Sequence, residues 1–194
     1  TNVLHALSHG ARQVVVVTSA GPREGASTTA AGLARVLALS GHRVVLVGGD
    51  LRSPSAVGAP GAPGLAEVLV GTARLSQVLV EGEVPGLELL PAGDMPGNPS
   101  ELLGGRNMSD LLHHLAADRI VIIDAPPVCR FTDAVVLAEY AGGVLLVARA
   151  GRTSAEELRE AALAVGQGGG HMLGVVLTNV SDLGRGSRSA QTAV

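Results

Sequence analysis

Three short stretches of this chain carry residues of the types and spacing needed for chemistry. Pro22-Arg23-Glu24-Gly25-Ala26-Ser27-Thr28 sets a glycine turn against two hydroxyls, Asp50-Leu51-Arg52 offers a carboxylate and a cation, and Asp124 ends the apolar run Arg119-Ile120-Val121-Ile122-Ile123. A glycine turn that opens a helix presents backbone N–H groups to an anion, and the helix dipole favours negative charge there. A hydroxyl with two carboxylates is an all-oxygen set suited to Mg²⁺. Together these residues point to a nucleotide polyphosphate with a divalent cation, and to phosphoryl transfer if the positive charge suffices.

The elements that must position them can be read from hydrophobic periodicity. Gln13 to Val17 is a β-branched strand, and the apolar helical pattern from about Ser27 to Ser40 closes at Gly41. Strand, glycine loop and helix in that order form the setting of a P-loop, whose usual form is Gly-x4-Gly-Lys-Ser/Thr. Gly25 and Ser27 are in place, but Ala26 stands where the lysine belongs.

Further strands are expected at Arg43 to Val47, Leu87 to Gly93, Arg119 to Asp124, Val144 to Ala148 and Met172 to Asn179. Helices are expected at 64–71, 75–80, 107–117 and 132–140, with a helical turn from Asn98. Another helix is expected at 153–165, where Ser154 and Glu157 fit a capping box. Val3 to Leu7 reads as the end of a helix, and Ser55 to Pro63 as a Pro/Gly loop. The strands are apolar on both faces and alternate with helices, which predicts an α/β, P-loop NTPase-like fold whose mostly parallel sheet is covered on both sides. One domain over 1–180 is expected, with a tail at 181–194 too poor in apolar residues to fold. All three chemical stretches then follow carboxyl ends of strands, where open α/β sheets place ligands.

Composition narrows the classes. The chain has 194 residues, 46% of them hydrophobic, and a net charge of −3, with Phe131 and Tyr140 as its aromatics. Stacking on bases is poorly supplied and there is no basic run, so a nucleic-acid partner is not expected. Cys129 has no second cysteine to pair with and suits a cytosolic domain. The apolar runs are strand-sized and the first residues do not read as a signal peptide, so any membrane link is expected outside this sequence. No lysine occurs anywhere; every basic side chain other than histidine is arginine.

Motifs along nearly the whole length give a specific resemblance. They are Thr18-Ser19-x-x-Pro22-x-x-Gly25-x-Ser27-Thr28, Asp50-Leu51-Arg52-Ser53-Pro54, Gly64-Leu65-x-x-Val68-Leu69-x-Gly71, Leu90-Pro91-Ala92-Gly93, Asn98-Pro99-x-Glu101-Leu102-Leu103, Ile122-Ile123-Asp124-x-Pro126-Pro127, Thr132-Asp133-Ala134 and Gly174-Val175-Val176-Leu177. In these the sequence resembles the cytoplasmic P-loop domain of bacterial tyrosine kinases, the partners or fused tails of chain-length regulators in capsule and exopolysaccharide export. The resemblance implies an ATP/ADP and Mg²⁺ site. Pro22, Arg23, Gly25, Ala26, Ser27, Thr28 and Arg52 would surround the nucleotide, Ser27, Asp50 and Asp124 would hold the metal, and Asp50 and Asp124 would be vestiges of the catalytic carboxylates. It also implies a membrane polysaccharide co-polymerase as partner, a place at the inner face of the membrane and a capacity to form homo-oligomers.

The departures from that family fall on its chemistry. Its loop usually reads Pro-Gly-x-Gly-Lys-Ser-Thr, so Arg23 replaces a turn glycine and Ala26 the lysine. Its second motif usually reads Asp-x-Asp-x-Arg, so Gly48 replaces the first Asp. The family's phosphoacceptor tail is rich in tyrosine, whereas this tail has none and Tyr140 falls in a predicted helix. Losing one pre-organised donor costs roughly 10²–10³ in rate, so a pseudokinase acting as a regulatory or interaction module is expected. The alternative is a weakly active kinase or ATPase in which Arg23 or a partner's lysine replaces the missing cation. A partitioning or septum-site ATPase needs a signature lysine that Gly21 and the lysine-free chain lack, and a short-chain dehydrogenase needs a Tyr-x3-Lys pair.

Plainer readings stand beside these. The loop is also compatible with a strand-to-helix turn without ligand, and Asp50, Arg52 and Asp124 with ion pairs at strand ends. Asp133 is as well suited to capping a helix as to a site. Cys129 and the six histidines show no ligand spacing, so an ordinary thiol and solvated imidazoles are expected.

Overall fold

The computed structural model describes residues 13–53, 57, 59 and 61–180. The lead-in at 3–7, part of the loop at 55–63 and the tail at 181–194 lie outside the described residues. The elements are β1 (Val14–Ser19), α1 (Ala26–Leu39), β2 (Val44–Gly48), α2 (Leu65–Val70), α3 (Leu75–Val78), β3 (Val80–Glu81) and β4 (Leu87–Leu90). They continue with α4 (Pro99–Leu103), α5 (Arg106–Leu115), β5 (Ile120–Asp124), α6 (Asp133–Ala138), β6 (Gly143–Arg149), α7 (Ala155–Gln167) and β7 (Met172–Thr178). One seven-stranded sheet runs in the order β3-β4-β2-β5-β1-β6-β7.

The central strands are buried along their whole length because valine, isoleucine and leucine occupy both of their faces. Alternation then divides them between two cores. Val15, Val17, Leu46, Ile122 and Val147 pack with α1, whose Ala30 and Ala34 let the helix lie close to the strands. Val14, Val16, Val47, Ile123 and Leu146 face the opposite core, built with Leu65 and Leu69 of α2, Leu112 and Leu115 of α5, Leu137 of α6 and Val165 of α7. These central strands thus have a helix layer on both sides, and pairing between the six longer strands is parallel throughout.

Two expectations needed correction. The helix at Leu75 ends at Val78, and Val80–Glu81 forms a short antiparallel strand against Leu89 and Glu88 of β4. The return is tight: Gly82 N donates to Leu87 O at 2.8 Å, and a Cβ on Gly82 would sit 2.7 Å from Leu87 Cγ. The second correction concerns coverage. On β7, Val175 and Leu177 remain 50% and 56% exposed, on the outermost strand of the sheet. The expected capping box at Ser154 is present, with Ser154 Oγ accepting from Glu157 N at 3.1 Å and Glu157 Oε2 accepting from Ser154 N at 2.8 Å.

Candidate nucleotide site

Parallel pairing brings the carboxyl ends of β1, β2, β5 and β6 to one rim of the sheet. Thr18 Oγ1 donates to Pro126 O at 2.7 Å and Val128 N donates to Ser19 O at 2.8 Å, which ties the exit of β1 to the loop after β5. The chain then turns through Gly25, whose φ of 100° lies in the left-handed region favoured by glycine. Thr29 N is bonded to Gly25 O, which starts α1. Helices leave their first N–H groups without intrahelical acceptors, and Gly25 has no side chain to cap them. The N–H groups of Ala26, Ser27 and Thr28 are therefore the part of the rim chemically able to receive an anion.

The loop is tied down on its other side by residues that sequence reading did not single out. Thr178 Oγ1 of β7 donates to Glu24 O at 2.6 Å, Thr153 Oγ1 donates to Glu24 Oε1 at 2.7 Å, and Arg149 Nη1 donates to Arg23 O at 3.2 Å. Glu24 is 4% exposed, and its Oε2 has no hydrogen-bond partner. Nothing local in Arg23-Glu24 announces this, since the partners lie more than a hundred residues away.

Asp124 and Asp50 supply the carboxylates. Asp124 is 3% exposed; burial raises its pKa to about 6, the Ser27 hydroxyl's hydrogen bond opposes that rise, and the charge of Asp50 adds to it. Burial also raises the Asp50 pKa, against backbone hydrogen bonds from Arg52 and Ser53, and the nearby Asp133 pushes it the same way. Gly48 pairs directly with Asp124 in the register between β2 and β5. The position that would bring a further carboxylate beside Asp124 therefore carries only a hydrogen atom.

A cavity of about 460 Å³ opens here. Of the residues expected from sequence, Pro22, Arg23, Gly25, Ala26, Ser27, Thr28 and Asp50 line it, whereas Asp124 is buried behind the wall, near enough to Ser27 and Asp50 for both to act on its pKa. Arg130 and Phe131, from the loop after β5, complete the wall and had not been singled out as site residues. Their signal was their place just after a strand-end Asp.

Arg52 is placed differently. Its Nε lies 2.5 Å from Asp133 Oδ2 and its Nη2 3.0 Å from Ser100 Oγ, while its guanidinium carbon stands 4.7 Å above the Phe131 ring. It does not line the cavity. Asp133 is fully buried as the other half of this pair, and Thr132 takes the helix-cap position. Cys129 is exposed, and its thiol pKa is raised first by partial burial and then by Glu160, Glu157 and Glu24, which disfavours the reactive thiolate.

The donor set fits a nucleotide in part. Backbone N–H groups, a serine hydroxyl and two carboxylates suit a polyphosphate with Mg²⁺, which keeps waters and phosphate oxygens among its ligands and needs few from the protein. Among the described residues, no group of three His, Cys, Asp or Glu side chains is placed to hold a metal. The point-charge cation of a P-loop is missing, because Ala26 presents a methyl group at the first position of α1.

Comparisons with known proteins agree with the fold. No family model matches the chain. It is 35% identical over 181 residues to the tyrosine-protein kinase YwqD of Bacillus subtilis, covering 91% of this chain and 76% of that protein. It is 33% identical over 184 residues to the tyrosine-protein kinase ptk of Acinetobacter johnsonii, covering 93% of this chain but spanning only 25% of that longer protein. Among solved structures, the kinase domain of the Escherichia coli tyrosine kinase ETK superposes with a TM-score of 0.85 at 29% identity, covering 98% of this chain and 76% of that one. The septum site-determining protein MinD of Pyrococcus horikoshii, solved with Mg-ADP, shares the fold at 20% identity, with a TM-score of 0.67 over 86% of this chain and 69% of its own.

Proposed function

This chain belongs to the bacterial tyrosine-protein kinase family, and from that premise we propose that it is a catalytically degraded member, a pseudokinase domain that retains weak nucleotide binding and acts through protein contacts. One observation carries the reading. Where the family implies a lysine and a first carboxylate, the rim of the cavity holds a buried methyl group at Ala26 and a bare glycine, Gly48, in register with Asp124.

Phosphoryl transfer depends on positioning and on stabilising charge as the terminal group leaves. In this chain, α1 would orient phosphates through its first N–H groups, and Ser27 with Asp50 and Asp124 would hold Mg²⁺. That ion would screen the phosphate oxygens from the two carboxylates. The residues still present bind and orient, but the side chains that would steady the departing phosphoryl group are absent. No lysine elsewhere in the sequence can take their place.

The proposed setting is assembly or export of capsular or exopolysaccharide at the inner face of the membrane, with a membrane polysaccharide co-polymerase or its fused membrane segment as partner. Support comes from family membership. No helix among the described residues is long and apolar enough to cross a membrane, so such an anchor would be supplied by other sequence.

Incubation of purified protein with Mg-ATP, followed by phosphate release and phosphotyrosine detection, tests the reading. The expected result is no turnover above background. Sustained release or phosphotyrosine would refute it in favour of a weak enzyme using Arg23. Under the proposal, Ala26→Lys combined with Gly48→Asp tightens Mg-ATP binding by at least roughly tenfold, since charge-assisted contacts to phosphate are among the stronger polar interactions.

A further inference from the structure

The cavity must hold a ligand carrying several negative charges beside two carboxylates, without a lysine. Several arginines are already engaged: Arg43, Arg52, Arg106 and Arg119 are ion-paired with Asp118, Asp133, Asp110 and Glu88, and Arg149 donates to Arg23 O. Arg23 and Arg130 differ in both respects that matter. Both line the cavity, and among the described residues neither guanidinium has a hydrogen-bond or ion-pair partner.

Resting on the reading that this domain binds a nucleotide without transferring its phosphate, we propose that Arg130, together with Arg23, grips the polyphosphate in place of the missing loop lysine. The backbone under Arg130 is fixed in advance. Arg130 N and Phe131 N both donate to Pro127 O, at 3.0 and 3.1 Å, which makes a tight turn six residues after Asp124. The Phe131 ring is held in turn beneath Arg52, whose guanidinium is locked to the buried Asp133. A rigid base thus carries an exposed, unpaired side chain at the carboxyl end of β5, beside the free N–H groups of α1.

Guanidinium suits this task because its planar fork can donate two parallel hydrogen bonds to a phosphate. It also explains how binding and transfer separate. A loop lysine belongs to the first turn of α1, whereas Arg130 reaches the cavity from the β5 loop, so it compensates charge without restoring the lysine's position. Arg23, with its φ of 60°, supplies the second cation from the loop itself.

The test is calorimetric titration of the full chain with ADP, ATP, inorganic pyrophosphate and adenosine, with and without Mg²⁺. Wild-type protein is expected to bind the three polyphosphates and not adenosine. Arg130→Ala should weaken that binding by roughly ten- to a hundredfold, as expected for loss of a hydrogen bond to a charged group; Arg23→Ala should cost less, and Arg130→Lys should recover part of the loss. Thermal midpoints of all three variants should match wild type, since both side chains are exposed and unpaired. Wild-type affinity in Arg130→Ala would overturn the proposal and leave the pseudokinase reading standing; no polyphosphate binding by wild type would overturn both the proposal and the retained nucleotide binding of the pseudokinase reading. Turnover by wild type that Arg130→Ala abolishes would overturn the pseudokinase reading and support the grip of Arg130.

Discussion

Arg52 stands over the Phe131 ring and Arg130 is its neighbour in sequence, yet the two use the same side chain for different ends. Arg52 keeps 28% of its side chain exposed, pairs with a carboxylate that is 1% exposed, and shares Ser100 with it. Arg130 has a cavity in front of it and no partner among the described residues. The first arginine joins the β2 exit, α4 and α6 into one unit, while the second is left for a ligand. A residue's motif therefore does not decide its role; whether a buried counter-charge waits for it does.

That comparison is broken most severely at the buried pair. Removing one partner of such a pair costs about 3–5 kcal/mol because the other charge is stranded. Arg52→Ala should therefore lower the denaturant midpoint sharply, by an amount near the lower end of that range because Arg52 is partly solvated. Replacing Arg52 and Asp133 together with apolar residues should recover much of the loss.

Asp124 gives the next effect, with a clear pH signature. Its folded pKa of about 6 lies above the ordinary 3.8, so the folded state holds its proton more tightly than the unfolded chain. Its contribution to stability is full below pH ~4 and is lost as the pH rises through 6. Asp124→Asn should flatten that window and stabilise the unliganded protein at neutral pH by up to about 3 kcal/mol. Chemical denaturation from pH 4 to 8 reads both.

A smaller effect is expected at the latch between the loop and β6. Thr153→Val leaves the buried Glu24 carboxylate without its hydroxyl donor, a cost of about 1–3 kcal/mol. At the other extreme, Arg130→Ala should change stability by no more than about 0.5 kcal/mol. If Arg130→Ala proved as destabilising as Arg52→Ala, the contrast between locked and free arginines would fail.

The sheet was largely legible because its signal is local. Runs such as Val14 to Val17 and Ile120 to Ile123 can satisfy their apolar faces only as buried strands, and glycine, proline and capping residues mark where they end. The short strand Val80–Glu81 was not legible, since two residues carry no periodicity and its pairing depends on the return at Gly82. The exposed face of β7 was hidden for a related reason: Val175 and Leu177 read as core residues, and only the strand order, which puts β7 at the sheet edge, leaves them uncovered.

At the site, the amino-acid order by itself determined which groups exist: a glycine turn before Ser27, the strand-end carboxylates Asp50 and Asp124, and the absence of any lysine. Their spacing sufficed because loop and strand-end chemistry is set by neighbours in the chain. The tertiary structure alone decided which charges are committed to one another. It turned Arg52 toward Asp133, 81 residues away, set Gly48 in register with Asp124, and brought Arg130 to the cavity wall. Electrostatic pairing depends on distance in space and on burial, and neither follows from separation along the chain.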